Sequence, residues 1–190
     1  MRRLVAGGPN ERYEVRCAVL EDGTTSPAAD ALDALAAGLF ENDTDRKEGD
    51  PWPDEEQPTD LANLMAEIRL LISDGVPSHQ RAIQALNNGV WEFKVSRKRF
   101  TFYDTLGDGT YDPKPRIRDR SESEFPDSPF WWFPDLDQEL RLGHVFPKTD
   151  ALAGKKNTDM SERVREEDLR HDERQTGFGE LEATNPSQEG

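Results

Sequence analysis

Two amphipathic helical patterns between residues 26 and 75 constrain the fold of this chain most strongly. The first begins at Ser26-Pro27, an N-cap hydroxyl followed by the residue suited to the first helical position, and its apolar stripe continues to Phe40. The second is predicted to begin at Thr59 and to close at Gly75. Each helix leaves one apolar face uncovered, so the rest of the chain must supply a sheet.

Alternating apolar and polar residues predict the strands of that sheet. Tyr13, Val15, Cys17 and Val19 lie in phase before the helices. After the turn Asn88-Gly89, three further alternations cover residues 91–95, 99–103 and 140–146. This order predicts an α+β domain with two N-terminal helices packed on a small antiparallel sheet.

Two long connections interrupt the pattern. Residues 42–58 are acidic and contain three prolines, which predicts a solvated connection. Residues 107–137 are proline-rich and include four consecutive aromatic residues at 130–133, so we expect a contact element that covers the sheet edge, binds a partner or packs on itself. Residues 161–171 predict a polar helix, which places the domain at 11–171 and a disordered tail at 172–190.

The charge distribution limits what this chain can bind. Its net charge is -15, yet residues 76–120 hold nine basic and five acidic side chains. Such a molecule repels nucleic acid on average, so any RNA contact must be local. We expect a cytoplasmic protein without membrane contact, because no apolar run is long enough for a span and the N-terminus lacks the apolar centre of a secretory signal.

Three short segments resemble strands of the RelE/HigB family of phage-derived toxins. Residues 89–95 (GVWEFKV) are similar to the family's glycine, apolar, aromatic, Glu-Leu-Arg strand, and residues 99–103 (RFTFY) are similar to its Tyr-Arg-apolar-apolar-Tyr strand. Residues 144–149 (HVFPKT) resemble the last strand, where an aromatic residue precedes lysines. They occur in the family's order.

The resemblance implies a type II toxin, a ribosome-dependent mRNA endonuclease that attacks the phosphate with the RNA's own 2'-hydroxyl and needs no metal or other cofactor. It implies a cognate helix-turn-helix antitoxin, the ribosome and mRNA as partners. Arg99 corresponds to the phosphate clamp and Lys94 to the strand cation that stabilises charge or moves a proton. Tyr103 is the nearest proton-transfer candidate, because the region after residue 149 has no tyrosine.

Peripheral RNA contacts are expected at Arg97, Lys98 and Lys148. We expect Lys94, Arg99 and Tyr103 to share one solvent-facing surface, with charge on an outer sheet face as the ordinary structural alternative. His144 is in phase with Leu142 and Phe146, which favours a structural histidine.

A second hypothesis is a non-catalytic acidic interaction protein, or a topoisomerase inhibitor of the ParE type, on the same fold. The two hypotheses differ in surface charge: a basic patch on the sheet favours the nuclease, and an acidic surface everywhere favours the binding protein. The cysteine and histidine spacing offers no zinc site, and Cys17 is expected to be a buried packing thiol.

Overall fold

Six strands form one mixed sheet with helices on both faces. The computed structural model describes residues 1–45, 47–148 and 154–183, with side chains to residue 177. The strands lie across the sheet in the order β1-β2-β6-β5-β4-β3. The elements are β1 (Leu4–Ala6), β2 (Glu14–Cys17), α1 (Pro27–Ala36), α2 (Gln57–Asp74), β3 (Ile83–Ala85), β4 (Trp91–Val95), β5 (Lys98–Thr105), β6 (Glu139–Pro147) and α3 (Lys155–Ala183).

The α+β class is confirmed, but the predicted antiparallel sheet is wrong in two respects. Two strands precede α1, and a further strand, β3, lies between α2 and β4. In addition, β2 pairs in parallel with β6, although the other neighbours are antiparallel. Strands of three residues, such as β1 and β3, are too short for alternation to reveal them.

The helix ends follow the predicted capping chemistry in part. Ser26 caps α1, where its Oγ accepts from the N–H of Ala29 at 3.4 Å. Gly75 closes α2 with φ 74° and donates its N–H to the Leu71 carbonyl. Thr59 is not the N-cap of α2, because the helix begins two residues earlier, at Gln57.

One sheet face carries the main core, which α1 and α2 cover. The side chains of Phe93, Phe102 and Leu140 point from the central strands to this face and pack with the apolar stripes of both helices. The predicted phase of the first strand is confirmed, since Tyr13, Val15, Cys17 and Val19 are all buried. The periodicity therefore identified the inward side chains correctly.

The insertion 107–137 adds aromatic side chains to this core, where they pack against Trp91, the first residue of β4. Trp132 and Phe133 are buried against Trp91, whose ring centroid lies 6.3 and 5.0 Å from theirs. The Trp91 indole N–H also donates to the Lys114 carbonyl at 3.0 Å. These two aromatic residues are core side chains, whereas Phe125 of the same insertion is 60% exposed.

The other sheet face is covered by α3. Val164 and Leu169 pack there with Tyr103 and Ala18. The helix continues to Ala183, so residues 172–183 of the predicted tail are helical, while 184–190 lie outside the described residues. Hydropathy did not predict this extent, because ion pairs such as Arg2–Asp172 (2.7 Å) anchor the helix in place of a continuous apolar stripe.

Replacing Trp132 should test whether the insertion belongs to the core. Trp132→Ala removes a large buried ring and should lower the free energy of unfolding by about 3–5 kcal/mol. Phe125→Ala, in the same insertion but largely exposed, should change it by less than about 0.5 kcal/mol. Urea denaturation measures both, and equal small effects would show that the insertion is only loosely attached.

Candidate functional site

The β4–β5 hairpin aligns three charged side chains on the face opposite the main core. Lys94 lies directly across from Arg99 in the strand register, and Glu92 lies two residues before Lys94 on the same face. Ser96 takes the left-handed conformation (φ 48°) in the two-residue turn that joins the strands. The alternation that buries Trp91 and Phe93 therefore places Glu92 and Lys94 together.

Lys148 and Arg81 bring two more cations to this group. Lys148 follows β6, and its backbone N–H donates to the Arg97 carbonyl at the hairpin turn. The positive charges of Lys94, Arg99 and Lys148 all favour the ionised form of Glu92. The positive charge of Arg81 lowers the pKa of Lys94. We call Arg81, Lys94, Arg99 and Lys148, with Glu92 among them, the cationic cluster.

Glu92 is the one acidic member of the cluster and is buried. Its Oε1 lies 3.6 Å from Nε of Arg99, and its Oε2 has no hydrogen-bond partner among the described residues. Burial raises the pKa of Glu92, against the attraction of the neighbouring cations. A buried carboxyl of this kind costs stability when ionised, which is typical of functional sites.

Lys94 is half-buried, and burial lowers the pKa of its ammonium group. Glu92 opposes that shift, whereas Arg99, Lys148 and Arg81 add to it. A lysine in such surroundings releases its proton more easily than a solvated one, so it is suited to proton transfer.

Arg99 is less accessible than expected. It is 8% exposed, and its guanidinium donates to the carbonyls of Ser96 and Lys98 at 3.2 and 2.8 Å. Burial lowers its pKa, although Glu92 partly compensates. Because Arg99 also supports the hairpin, removing it would disturb folding as well as the binding of any anion. Arg99 lies on the face opposite the main core, as expected, but the expectation that it faces solvent is wrong.

Tyr103 does not join the cluster. It is fully buried beneath α3, where its hydroxyl donates to Asp168 at 2.7 Å. Burial and the nearby Asp168 carboxylate raise the pKa of Tyr103 well above its ordinary value. The expectation of a solvent-facing Tyr103 is wrong because α3 covers this part of the face, and its hydroxyl is held as a structural donor.

Lys98 is also placed inside the protein. Its Nζ lies 2.8 Å from Asp43, 3.4 Å from Asp45 and 2.6 Å from Asp60, and its side chain is 1% exposed. The expectation that Lys98 contacts RNA at an exposed hairpin end is wrong, because these three carboxylates enclose its ammonium group. Arg97, beside it, is exposed and lies 3.8 Å from Asp45.

The acidic connection 42–58 is thus only partly solvated. Asp43 is nearly buried, and Gln57 is fully buried with its Oε1 accepting from the Phe40 N–H at 2.8 Å. Asp45 further accepts from the backbone N–H of Arg97 at 3.0 Å. Composition predicted the exposed residues but not those that fix the connection to the sheet.

A bulge in β6 changes the phase of His144. The register shifts where Phe102 opposes Leu142 and Phe100 opposes Val145, and the Thr101 hydroxyl bonds to both the N–H and the carbonyl of His144. His144 therefore lies on the α3 side, where its Nε2 is 3.3 Å from Oδ1 of Asn157. Burial lowers the pKa of His144. Its predicted phase with Leu142 is wrong.

Two groups of neighbouring cations in this acidic molecule lack a carboxylate partner. Among the described residues, no carboxylate oxygen lies within 4.0 Å of the charged nitrogens of Arg81, Lys94 and Lys148, although most other cations are paired. The second group is Arg116, Arg118 and Arg120 of the insertion. Unpaired cations of this kind are available to a bound anion.

Other chemistry finds less support. No group of three or more metal-ligating side chains occurs within the described part of the chain. Cys17 is buried, and burial raises the pKa of its thiol to about 11, which is unfavourable for a nucleophile. Of the helices described, none combines the length and the hydropathy that crossing a bilayer requires.

Comparison with known proteins identifies no family. No protein-family model matches the chain, and no curated protein shows a significant sequence match.

Replacing Lys98 should distinguish a structural cation from an RNA contact. Lys98→Met leaves buried carboxylates without their counter-ion and should lower the free energy of unfolding by about 3–5 kcal/mol. Arg97→Met, one residue away but exposed, should change it by less than about 0.5 kcal/mol. Chemical denaturation of both variants provides the measurement, and a Lys98→Met protein as stable as wild type would contradict the buried ion cluster.

Proposed function

We propose that this protein is a metal-independent endoribonuclease that cleaves mRNA on the ribosome, acting as the toxin of a type II toxin–antitoxin system. The observation that carries the proposal is the convergence of Lys94, Arg99 and Lys148 around the buried Glu92 in an otherwise acidic chain. The three strand resemblances come from the same region, since these residues lie on or directly after β4, β5 and β6.

The proposed reaction requires positive charge and one proton-transfer group. The 2'-oxygen of the RNA attacks the adjacent phosphorus, and the bond from phosphorus to the 5'-oxygen of the next nucleotide breaks. The products are a 2',3'-cyclic phosphate and a 5'-hydroxyl. The 2'-hydroxyl loses a proton and the leaving 5'-oxygen gains one, so no net proton is consumed.

In the proposed mechanism Lys94 moves this proton. Its amine, whose pKa burial lowers, takes the proton of the 2'-hydroxyl while in its neutral form and returns it to the 5'-oxygen. Arg99 and Lys148 stabilise the charge that develops on the phosphate oxygens. Glu92 is a positioning residue that holds Arg99 and adjusts the proton affinity of Lys94.

The acidity of the rest of the molecule is compatible with this assignment if the substrate is presented at close range. The net charge of -15 opposes long-range attraction of RNA, so the ribosome would deliver the message to the cationic cluster. A small helix-turn-helix antitoxin would restrain the activity, and its co-purification with the natively expressed protein tests that part of the proposal.

The second candidate, a non-catalytic acidic binding protein, rests on a specific observation. Tyr103 and Arg99, two of the three groups expected to be catalytic, are largely buried. A domain with this fold and charge could act by binding alone, as a ParE-type inhibitor does. Cleavage assays separate the two functions.

Removing Lys94 or Lys148 from the cationic cluster should slow cleavage strongly without unfolding the protein. Lys94→Gln should slow cleavage of ribosome-bound mRNA by at least about 100-fold, since it removes the proton-transfer group. Lys148→Gln should slow it by about 30- to 160-fold, because one charge-stabilising group is worth about 2–3 kcal/mol in the transition state. Primer extension on defined transcripts measures the rates.

Arg97→Gln is the matched control, because it removes an exposed cation of the same hairpin that is paired with Asp45. It should cleave within about threefold of wild type, and all three variants should melt near the wild-type temperature. Wild-type rates for both Lys94→Gln and Lys148→Gln, or a wild-type protein that cleaves nothing without antitoxin, would favour the binding protein.

The role of Glu92 can be tested through pH. The Glu92 carboxylate raises the pKa of Lys94, so Glu92→Gln should lower the pKa of Lys94. The cleavage rate of this variant should therefore begin to rise at a lower pH than that of wild type.

Glu92 also makes the stability of the protein depend on pH. Because the pKa of Glu92 is raised in the folded state, its stabilising contribution is complete below the unfolded-state pKa and is lost as pH rises through the folded-state pKa.

Glu92→Gln should therefore melt no lower than wild type at pH 8. Rate–pH profiles and melting curves of the two proteins provide the data. If the rate–pH profile of Glu92→Gln rises at the same pH as that of wild type, Glu92 does not adjust Lys94 in the mechanism, even if the rate itself falls.

A further inference from the structure

Three arginines at alternate positions mark the outer surface of the insertion. Arg116, Arg118 and Arg120 are all exposed, and successive members are separated by one residue. In extended chain this spacing places their backbones about 6–7 Å apart. We call these arginines, together with Trp131 and Trp132, the Arg–Trp face.

The tryptophans hold two of these arginines in place. Trp132 is buried in the main core, and its carbonyl accepts from the N–H of Ile117 at 3.0 Å, which fixes the arginine segment against it. The guanidinium carbon of Arg116 lies 4.5 Å from the Trp132 ring centroid, and that of Arg120 lies 5.4 Å from the Trp131 centroid. Stacking in this way orders the guanidinium groups before any ligand binds.

The charges of these arginines are not used inside the protein. Within the described residues, no carboxylate oxygen approaches any of the three guanidinium groups to 4.0 Å, and Arg118 makes neither a hydrogen bond nor an aromatic contact. The neighbouring Asp119 is turned away, since its Oδ1 accepts from the backbone N–H and the hydroxyl of Ser121 at 2.9 and 2.8 Å. In a chain with 39 acidic residues, three adjacent unpaired arginines are available to an external anion.

We propose that the Arg–Trp face binds single-stranded RNA, with the arginines contacting phosphates and unpaired bases stacking on the guanidinium planes and the half-exposed Trp131 ring. Ordered cations beside aromatic rings are the combination that single-stranded nucleic acids bind. An acidic peptide would use the charge but not the rings. The choice of RNA rests on the proposed function; binding itself does not require cleavage.

This site is separate from the cationic cluster. The face packs over Trp91, the first residue of β4, whereas Lys94 lies three residues further along the same strand, about 10 Å away, with its side chain on the other side of the sheet. An RNA strand held at the Arg–Trp face would be a second anchor for the message and would not occupy the cluster.

The test uses the full chain and a 15-nucleotide 2'-O-methyl oligouridine, which lacks the attacking hydroxyl and cannot be cut. Arg116→Gln, Arg118→Gln and Arg120→Gln combined should weaken binding at least tenfold. The slope of the logarithm of the association constant against the logarithm of the salt concentration should become shallower by about 2. About 0.7 counter-ion is released per phosphate contact on a single strand, and the variant loses three such contacts. Fluorescence anisotropy over a salt series gives both quantities.

The matched control removes three exposed cations elsewhere, by Lys47→Gln, Arg69→Gln and Lys156→Gln, and should change the affinity by less than about twofold. Arg118→Glu alone should weaken binding several-fold while the melting temperature stays unchanged, because the Arg118 side chain makes no hydrogen bond, ion pair or aromatic contact with the described residues. Equal losses in both triple variants, or tighter binding of a 15-residue polyglutamate than of the RNA, would overturn the proposal. Because the 2'-O-methyl oligouridine cannot be cut, its binding is measured whether or not the protein is a nuclease, so failure of the nuclease assignment is seen independently.

Discussion

The Asp168 carboxylate is the interaction on which the arrangement of this protein depends. It is fully buried and accepts hydrogen bonds from the Tyr103 hydroxyl, the Val19 N–H and the Arg2 guanidinium, and Arg141 lies 3.5 Å away. These donors come from the segment before β1, the chain just after β2, and strands β5 and β6, so one side chain of α3 joins four separate segments of the chain. Because an unpaired buried charge is costly, the helix can dock only where all of its partners meet. This docking covers one end of the sheet face and leaves the hairpin end for the cationic cluster.

The acidic composition is used inside the protein as well as on its surface. Three carboxylates enclose Lys98, and two of them, Asp43 and Asp45, attach the 42–58 connection to the β4–β5 hairpin. In the same way, Asp168 and Asp172 enclose Arg2 and Arg141 beneath α3. Cations bound in this way are structural. Cations that lack a carboxylate partner among the described residues therefore carry more functional information than the basic residues as a set. They include Lys94 and Lys148 of the cationic cluster and the arginines of the Arg–Trp face.

The predictable part of the fold was the part governed by apolar periodicity. The inward phase of β2, β4 and β5, the N-cap at Ser26 and the closing glycine of α2 follow from residues close in sequence. The three-residue strands β1 and β3 carry too little pattern to predict. For the site, the juxtaposition of Lys94 with Arg99 followed from strand alternation, and the same phase places Glu92 beside them. The burial of Arg99 could not, since it depends on carbonyls of the hairpin turn.

By itself, the sequence determined the α+β class, the two helices that cover the main core and the side chains that point into that core. These features depend on the spacing of apolar residues along the chain and on the transfer of apolar groups from water. The tertiary structure alone decided which charged residues are buried, the parallel pairing of β2 with β6, the bulge that turns His144 toward α3, and the union of the insertion with Trp91. These features join residues separated by tens of positions. They are stabilised by contacts between residues that meet only in the folded chain. A local sequence pattern therefore cannot predict whether a lysine such as Lys98 faces water or three carboxylates.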